Sequence, residues 1–526
     1  MIIDSSELPK NTTINSDVCI IGAGAAGLAI AQQLMHSNIS VALYEGGGME
    51  YDYKSQELYK GENLGIPYPP LDSVRARYYG GTTNFWAGFV AEFSEREFEP
   101  RSWIPNSDWP IRKSDIDPYF EKAFSLCMHG SGEYRWDLQY WLDKLGIDSF
   151  PYNGDMFNFH ITQIMKRTRP EYRNFGLYLY KEISKSKNVT VYLNSNITEL
   201  NTNPDGNTIT SCDAYTLSGN YFSIKAKHYI VACGGIENAR LLLASNSTIK
   251  SGIGNSSDMV GRYFCAHPSG VLGKLFIPGK KHPFENIFAK NTTKSGSKFT
   301  GEFQLSNKYT EKYNLTNCFI WLRPIEEPYV SDGTRSAWTL KGKLPDHLLY
   351  HLGNVINEID TIANRQYYKY IKETPVNEFE IQLTFESTPV YDSRVTLVNE
   401  RDRFNKQLAG LDWELSDIDK NTLLKCAELF AKEMGQTGIG RVQIKDDLSS
   451  EWPKYLWTVH HHCCTTRMSD DPSTGVVDKN CKVFSMDNLY IAGSSVFSSA
   501  CIGRPTYLLV ALDMRLADHI SKRLSL

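Results

Sequence analysis

The sequence predicts an α/β fold, α+β when the whole chain is counted, and three observations carry that reading. The N-terminal part holds a short β-branched run, a glycine-rich turn and an apolar helix; a second short strand follows and ends in an acid; a leucine stripe at helical spacing stands behind a proline near the C-terminus. The first two describe a Rossmann-like nucleotide-binding unit. A chain of 526 residues is too long for one hydrophobic core. Apolar runs at 378–385 and 394–398 supply strands for a second, antiparallel-sheet unit that would bind substrate.

Residues 18–21, Val-Cys-Ile-Ile, suit a buried parallel strand. Gly22, Gly24 and Gly27 then form GxGxxG, with Ala25 and Ala26 inside it, and residues 28–35 continue as a helix. Each glycine has a mechanical role. Gly22 permits the turn, Gly24 lets backbone approach a pyrophosphate, and Gly27 lets helix and strand pack closely. Phosphate is favoured at the helix N-terminus by free N–H groups and the macrodipole. The second strand, 40–44, delivers Glu45, whose carboxylate is placed to accept both hydroxyls of an adenosine ribose, with Gly46 next. Strand, turn, helix, strand and acid in this order read as dinucleotide binding rather than a packing turn, without separating NAD from FAD.

Further stretches narrow the choice. They are RARYYGGTTNFWAG at 75–88, HYIVACGGIENARLLLAS at 228–245, DMVGRYFCAHP at 258–268, DSRVTLVNERDRF at 392–404 and VVDKNCKVFSMDNLYIAGSSVF at 476–497. With the N-terminal cradle they resemble the glucose-methanol-choline (GMC) oxidoreductases, FAD-dependent alcohol oxidases and dehydrogenases, especially their bacterial and pyranose-oxidase-like branch. The resemblance implies that residues 80–84 wrap the flavin end of FAD, and that residues 230–233 form a strand of the FAD sheet, with Gly234 and Gly235 opening a helix against the cofactor. It implies a cofactor-binding set of Gly22, Gly24, Ala25, Ala26, Gly27, Glu45, Gly46, Arg77, Gly81, Thr82, Asn84, Ile197, Cys233, Gly493, Pro505 and Thr506. Pyranose oxidases attach FAD to a histidine in this loop; the matching residue here is Phe85, so non-covalent FAD is expected.

Residues 460–464 read His-His-His-Cys-Cys. Contiguous ligands alternate faces on a strand and fan out on a helix, so they do not converge on one ion, and no metal site is expected. In the family a histidine seven residues before a methionine lies beside flavin N5 and takes the substrate's hydroxyl proton; His461 and Met468 fit that pattern. A neutral imidazole is well suited to accept that proton near pH 7. His460 and His462 would point the other way. Cys464 takes the place of the family's usual glycine and is expected to narrow the pocket; Cys463 and Cys464 are expected to be reduced thiols.

The family's second catalytic position, a histidine or asparagine, maps onto Arg504 in SSACIGRPTYLLVAL. Pro505 begins a helix striped by Leu508, Leu512, Leu516 and Ile520, whose N-terminus would face the flavin. A guanidinium cannot act as a base. It can polarise the substrate oxygen, clamp a carboxylate or phosphate, or turn away into a structural salt bridge.

These motifs divide the chain into an FAD-binding domain of 1–95, 185–270 and 455–526 and a substrate-binding domain of 96–184 and 271–454. The function expected is oxidation of an alcohol, of a sugar or sugar-like kind, to a carbonyl, with hydride going to flavin N5 and the proton to His461. Two other readings stay open: a carboxylate- or phosphate-bearing substrate, including decarboxylation or desaturation, held by Arg504, and a catalytically idle FAD-binding protein. The partners expected are a small-molecule substrate and dioxygen or another electron acceptor; a homo-oligomer is left open. A net charge of −4 gives no reason to expect nucleic acid. The longest apolar stretch is interrupted by glycines, so no membrane association is expected, and eleven cysteines without CxxC spacing fit a cytoplasmic protein. QYYKYIK, 366–372, lies in a stretch of helical period from 346 to 370 and reads as a half-exposed helix face before a docking patch for an electron-transfer partner.

Overall fold

A computed structural model describes residues 1–147, 150, 152–166, 174–278, 283–284, 287–288, 298–325, 332–340, 345, 347–360, 362–363, 378–502 and 504–525. Among these residues its first sheet has eight strands. Ile2–Asp4, Val189–Leu193, Val41–Tyr44, Thr12–Ile21 and Tyr221–Val231 lie side by side in that order, all parallel. Tyr221–Val231 is long enough to take two neighbours on its other edge. Its first half pairs antiparallel with Ile209–Tyr215, which pairs with Asn196–Thr202; its last three residues pair parallel with Leu489–Ile491. The strand read at 18–21 starts earlier, at Thr12, because residues 12–16 find ladder partners in residues 222–226. The strand read at 230–233 ends at Val231, leaving Cys233 in the turn before the helix Gly235–Ala244.

Among the described residues the second sheet also has eight strands, all antiparallel. Arg441–Ile444, Pro268–Phe276, Glu378–Phe385, Cys318–Pro324, Lys298–Leu305, Phe157–Ile164 and Phe89–Val90 follow one another, and Trp457–Thr458 adds to Pro268–Phe276. A small sheet joins Arg394–Arg401, Gln407–Asp412 and Gly61–Asn63.

Two apolar cores follow from the two large sheets. The first collects the parallel strands with the helices Ala25–Leu34, Asp117–Cys127, Phe175–Lys185 and Pro505–Ser525; the second lies between the antiparallel sheet and the helix Asp417–Gln436. Several segments placed with the substrate unit by the sequence reading bury their apolar side chains in the first core instead. Phe120 and Phe124 do so from one helix, Leu179 and Ile183 from another, and Val395, Ala409 and Leu411 from the small sheet. Conversely, Phe89–Val90, Pro268–Phe276 and Trp457–Thr458 pair in the second sheet. In the C-terminal helix Leu508, Leu512, Leu516 and Ile520 are all buried, as the stripe requires.

Of the stretch at 346–370, the helix Leu348–Asn357 is described, with Leu349 and Ile356 exposed; QYYKYIK lies outside the described residues. No helix among the described residues is long and apolar enough to cross a membrane.

One buried ion pair ties the loop after Phe98 to the second sheet. Arg101 donates two hydrogen bonds, of 2.6 and 2.7 Å, to the two oxygens of Glu386, directly after the strand Glu378–Phe385. Glu97, pushed up to about 8 by burial and by Glu386, accepts from the Ile502 N–H at 3.1 Å, so the same cluster anchors the approach to Arg504. Removing one partner of such a pair leaves an uncompensated buried charge, at a cost of roughly 3–5 kcal/mol. Arg101→Leu is therefore expected to lower the urea midpoint of the holoprotein by an amount equivalent to about 3 kcal/mol or more, and the Arg101→Leu/Glu386→Leu double variant by clearly less.

Candidate active site

A cavity of about 780 Å³ runs from the carboxyl ends of the parallel strands to the antiparallel sheet, within the ~300–1,000 Å³ usual for cofactor sites. Its floor is the N-terminal turn. Gly22 has φ +108° and a side chain there would meet the Ala232 carbonyl at 2.6 Å; a side chain at Gly27 would meet the Gly22 carbonyl at 1.9 Å. Both positions therefore exclude anything larger than glycine. Gly27 packs beneath the turn, while Gly22, Gly24, Ala25 and Ala26 line the cavity. Opposite, Gly81 is left-handed at φ +53°, and a Cβ on it would lie 2.8 Å from the Gly24 Cα. Backbone thus packs on backbone at this edge of the cavity.

Glu45 closes the turn as well as facing the cavity: Oε2 accepts from the Ala23 N–H at 3.0 Å and Oε1 from the Gly47 N–H at 2.9 Å. Burial pushes its pKa up, opposed by the Gly47 N–H and Arg77. A lone pair remains on each oxygen for a ribose hydroxyl. Arg77 donates Nη2 to Asn196 Oδ1 at 2.7 Å, and its guanidinium lies where a side chain on Gly46 would collide with it. Its buried Nε has no protein partner, an orphan donor that a phosphate or ribose oxygen would satisfy. Gly46, Thr82, Ile197, Cys233, Gly493, Pro505 and Thr506 also line the cavity.

Asn84 differs from expectation. Its amide donates to the Gly81 and Tyr79 carbonyls at 2.8 and 3.2 Å and accepts from Asn174 at 2.7 Å, so it braces the loop and is absent from the cavity wall.

At the other end the five residues 460–464 diverge. His461 lines the cavity, and its Nδ1 lies 3.1 Å from His267 Nδ1. His462 hydrogen-bonds Tyr68 OH at 2.8 Å while its carbonyl accepts from Ser494 Oγ; it and His460 also reach the cavity. Cys464 does not. It is fully buried against Cys265, away from the cavity, so it does not narrow the pocket. Its φ of +73° explains why the family pattern carries glycine here, and holding an L side chain in that region costs about 1–2 kcal/mol. All eleven cysteines are free thiols, and no cluster of three or more metal-ligating side chains occurs among the described residues.

Arg504 stands at the same end of the cavity, immediately before the helix Pro505–Ser525. It makes an ion pair with Glu302 of the strand Lys298–Leu305, and its guanidinium lies 4.5 and 4.9 Å from the ring centres of Phe319 and Phe89. Burial, then His267 and Arg504, hold His461 well below the usual imidazole range, so the ring is a neutral base at pH 7.

Three residues of this site escaped the sequence reading. Glu302 and Trp321 sit on inward positions of strands with no motif to mark them. His267 stands next to last in the quoted stretch DMVGRYFCAHP, before Pro268, and that position was the available signal.

Comparison with known proteins agrees with this architecture. A GMC oxidoreductase family profile matches residues 389–512. The large subunit of fructose dehydrogenase from Gluconobacter japonicus is 23% identical over 97% of this chain and 98% of that one, and 2-methyl-1,2-propanediol dehydrogenase from Mycolicibacterium austroafricanum is 22% identical over 97% and 96%. Residues 389–512 thus carry the GMC oxidoreductase pattern, and the whole length of the chain is similar to a sugar dehydrogenase and a diol dehydrogenase. The crystal structure of pyridoxine 4-oxidase from Mesorbium loti shares the fold at a TM-score of 0.60, with 14% identity over 96% of this chain and 99% of that one. The matched profile and these relatives support an oxidoreductase acting on CH–OH donors, and imply FAD. The glycine cradle and the orphan Arg77 Nε fit that cofactor.

A methyl group at Gly81 would press into the cradle. Gly81→Ala is therefore expected to give folded protein with the FAD occupancy, read from the ratio of flavin to protein absorbance, reduced at least tenfold at limiting FAD.

Proposed function

We propose that this enzyme oxidises a secondary or primary alcohol of a neutral, polyhydroxylated metabolite, with FAD held non-covalently on the parallel sheet and substrate against the antiparallel one. Phe85, which lines the cavity, has no atom able to form the histidyl link. FAD, when bound, supplies the hydride acceptor. Its adenosine end would be held by Glu45 and Arg77, and its pyrophosphate by the Gly22–Gly27 turn.

The observation that carries the reading is that a neutral imidazole, His461, and a paired guanidinium, Arg504, face one end of one cavity. An alcohol is too weak an acid to ionise alone near pH 7; the unprotonated nitrogen of His461 takes its proton as hydride leaves carbon, a contribution worth a factor of ~10²–10⁴. The Arg504 N–H groups donate to the substrate oxygen as negative charge develops on it.

Glu302 favours neutral over anionic substrates. It already neutralises Arg504, and an incoming carboxylate or phosphate would meet its charge, whereas sugar hydroxyls could donate to it. The relatives named for fructose and for a diol support the same class. Electrons then pass to dioxygen or to another acceptor.

Anaerobic bleaching of the flavin band is expected with at least one of fructose, 2-methyl-1,2-propanediol and pyridoxine. Fructose 6-phosphate should bleach it more slowly than fructose; faster reduction by the phosphate ester would reverse the assignment of Glu302. His461→Ala should keep FAD and slow reduction by about 10² or more. Because the pKa of His461 is depressed, its base form persists above that value and is lost only as pH falls through it. The acid limb of the reduction rate is therefore expected below pH 6.5. Arg504→Met, which removes a cation and exposes the imidazole to Glu302, should move that limb upward.

A further inference from the structure

His461 does not stand alone. Behind it lies His267, fully buried at the entry to the strand Pro268–Phe276, and the two Nδ1 atoms are 3.1 Å apart. Two nitrogens at that distance require one proton between them: one ring donates and the other accepts. Which does which is settled by the other side of His267. Its Nε2 lies 2.9 Å from the carbonyl oxygen of Cys501, and a carbonyl can only accept. His267 Nε2 therefore carries hydrogen. A neutral imidazole has one ring proton, and burial keeps this ring neutral, with its pKa lowered to about 4. His267 Nδ1 is then the bare nitrogen, and the proton in the contact belongs to His461 Nδ1.

We propose that His267 is a positioning residue that holds His461 in the Nδ1–H tautomer, leaving Nε2 of His461 as the lone-pair nitrogen that receives the substrate's proton. This rests on the reading of His461 as the base. It adds what that reading lacks, namely which atom is basic and what keeps it so. In solution a neutral imidazole exchanges between two tautomers, and in one of them Nε2 is protonated and useless as an acceptor. The relay runs Cys501 carbonyl, His267 Nε2–H, His267 Nδ1, His461 Nδ1–H. It gives the orientation that carboxylates supply in other catalytic sites, without adding a second anion beside Glu302.

The supports of the relay are themselves fixed. Cys501 sits in the left-handed region at φ +59°, which sets the direction of its carbonyl. The next residue, Ile502, donates its N–H to Glu97 within the Arg101–Glu386 cluster. When His461 becomes an imidazolium, His267 Nδ1 still accepts the Nδ1–H bond, so the relay serves both protonation states and no proton need pass through His267.

Two substitutions separate positioning from mere packing. His267→Asn keeps an acceptor oxygen near the place of Nδ1; His267→Leu fills the space and offers none. Histidine-¹⁵N-labelled holoenzyme examined by magic-angle-spinning NMR, with the His461→Ala spectrum subtracted to isolate the ring, should show His461 protonated at Nδ1 and bare at Nε2. His267→Leu should convert that signal to a mixture of tautomers. It should also lower the limiting rate of anaerobic flavin reduction, by the best reductant of the fructose, diol and pyridoxine panel, at least tenfold without loss of FAD, and His267→Asn should restore most of it. A wild-type His461 protonated at Nε2, or Asn and Leu variants equally slow, would overturn the proposal. Full activity of His461→Ala would instead remove the base assignment while leaving the tautomer measurement intact.

Discussion

The pairing of one strand, Tyr221–Val231, with two others holds the site together. On one edge it runs parallel to Thr12–Ile21, and on the other its last three residues run parallel to Leu489–Ile491. The ladder continues past the strand ends, with the Ala232 N–H donating to the Ile21 carbonyl and the Ala492 N–H to the Val231 carbonyl, both at 2.8 Å. That register sets the Gly22 turn beside Cys233 and Gly493, three cavity residues from three distant parts of the chain. A slip of one residue would exchange the two faces of a strand and lose the packing on both. The cofactor cradle and the segment bearing His461 are thus aligned by hydrogen bonds made well away from the chemistry.

Four largely buried arginines near the cavity are matched by acids. Arg504 is answered by Glu302, Arg101 by Glu386, and Arg75 and Arg240 by Glu237, with Asp402 completing the last group. Burial alone would raise Glu237, yet Arg240 and Arg75 keep its carboxyl below its ordinary range. Unpaired charges would be costly at this depth, and burial likewise holds the His461 imidazole neutral. The aromatic faces of Phe89 and Phe319 around Arg504 exclude water from the same corner, which strengthens each of these interactions.

Much of this was legible in the sequence where the signal is local. Gly22, Gly24 and Gly27 announce the turn because backbone geometry demands glycine there; Glu45 follows from its place at a strand end; Pro505 and the Leu508 to Ile520 stripe fix a helix. What was not legible depends on partners far away in the chain. Asn84 looks like a cofactor ligand until Asn174 is seen beside it, and Cys464 looks like a pocket residue until its left-handed backbone turns the thiol toward Cys265. Arg504 could be read as clamp, donor or structural ion until Glu302 appeared, since no periodicity marks one acid on a strand as facing one arginine two hundred positions later. That the helices Asp117–Cys127 and Phe175–Lys185 pack in the first core was hidden for the same reason: an amphipathic pattern states that a face is buried without stating against what.

The same discontinuity bears on how the molecule is made. During synthesis at ~5–20 residues per second, a nascent chain that has already released Tyr221–Val231 from the ribosome waits on the order of tens of seconds for Leu489–Ile491 to emerge. Over that interval the central strand keeps an open edge and the first helix lacks the C-terminal helix that covers it. Chaperone capture of this half-built sheet, or early loading of the nucleotide onto the finished N-terminal cradle, would be the cellular answer to a topology that completes its interior last.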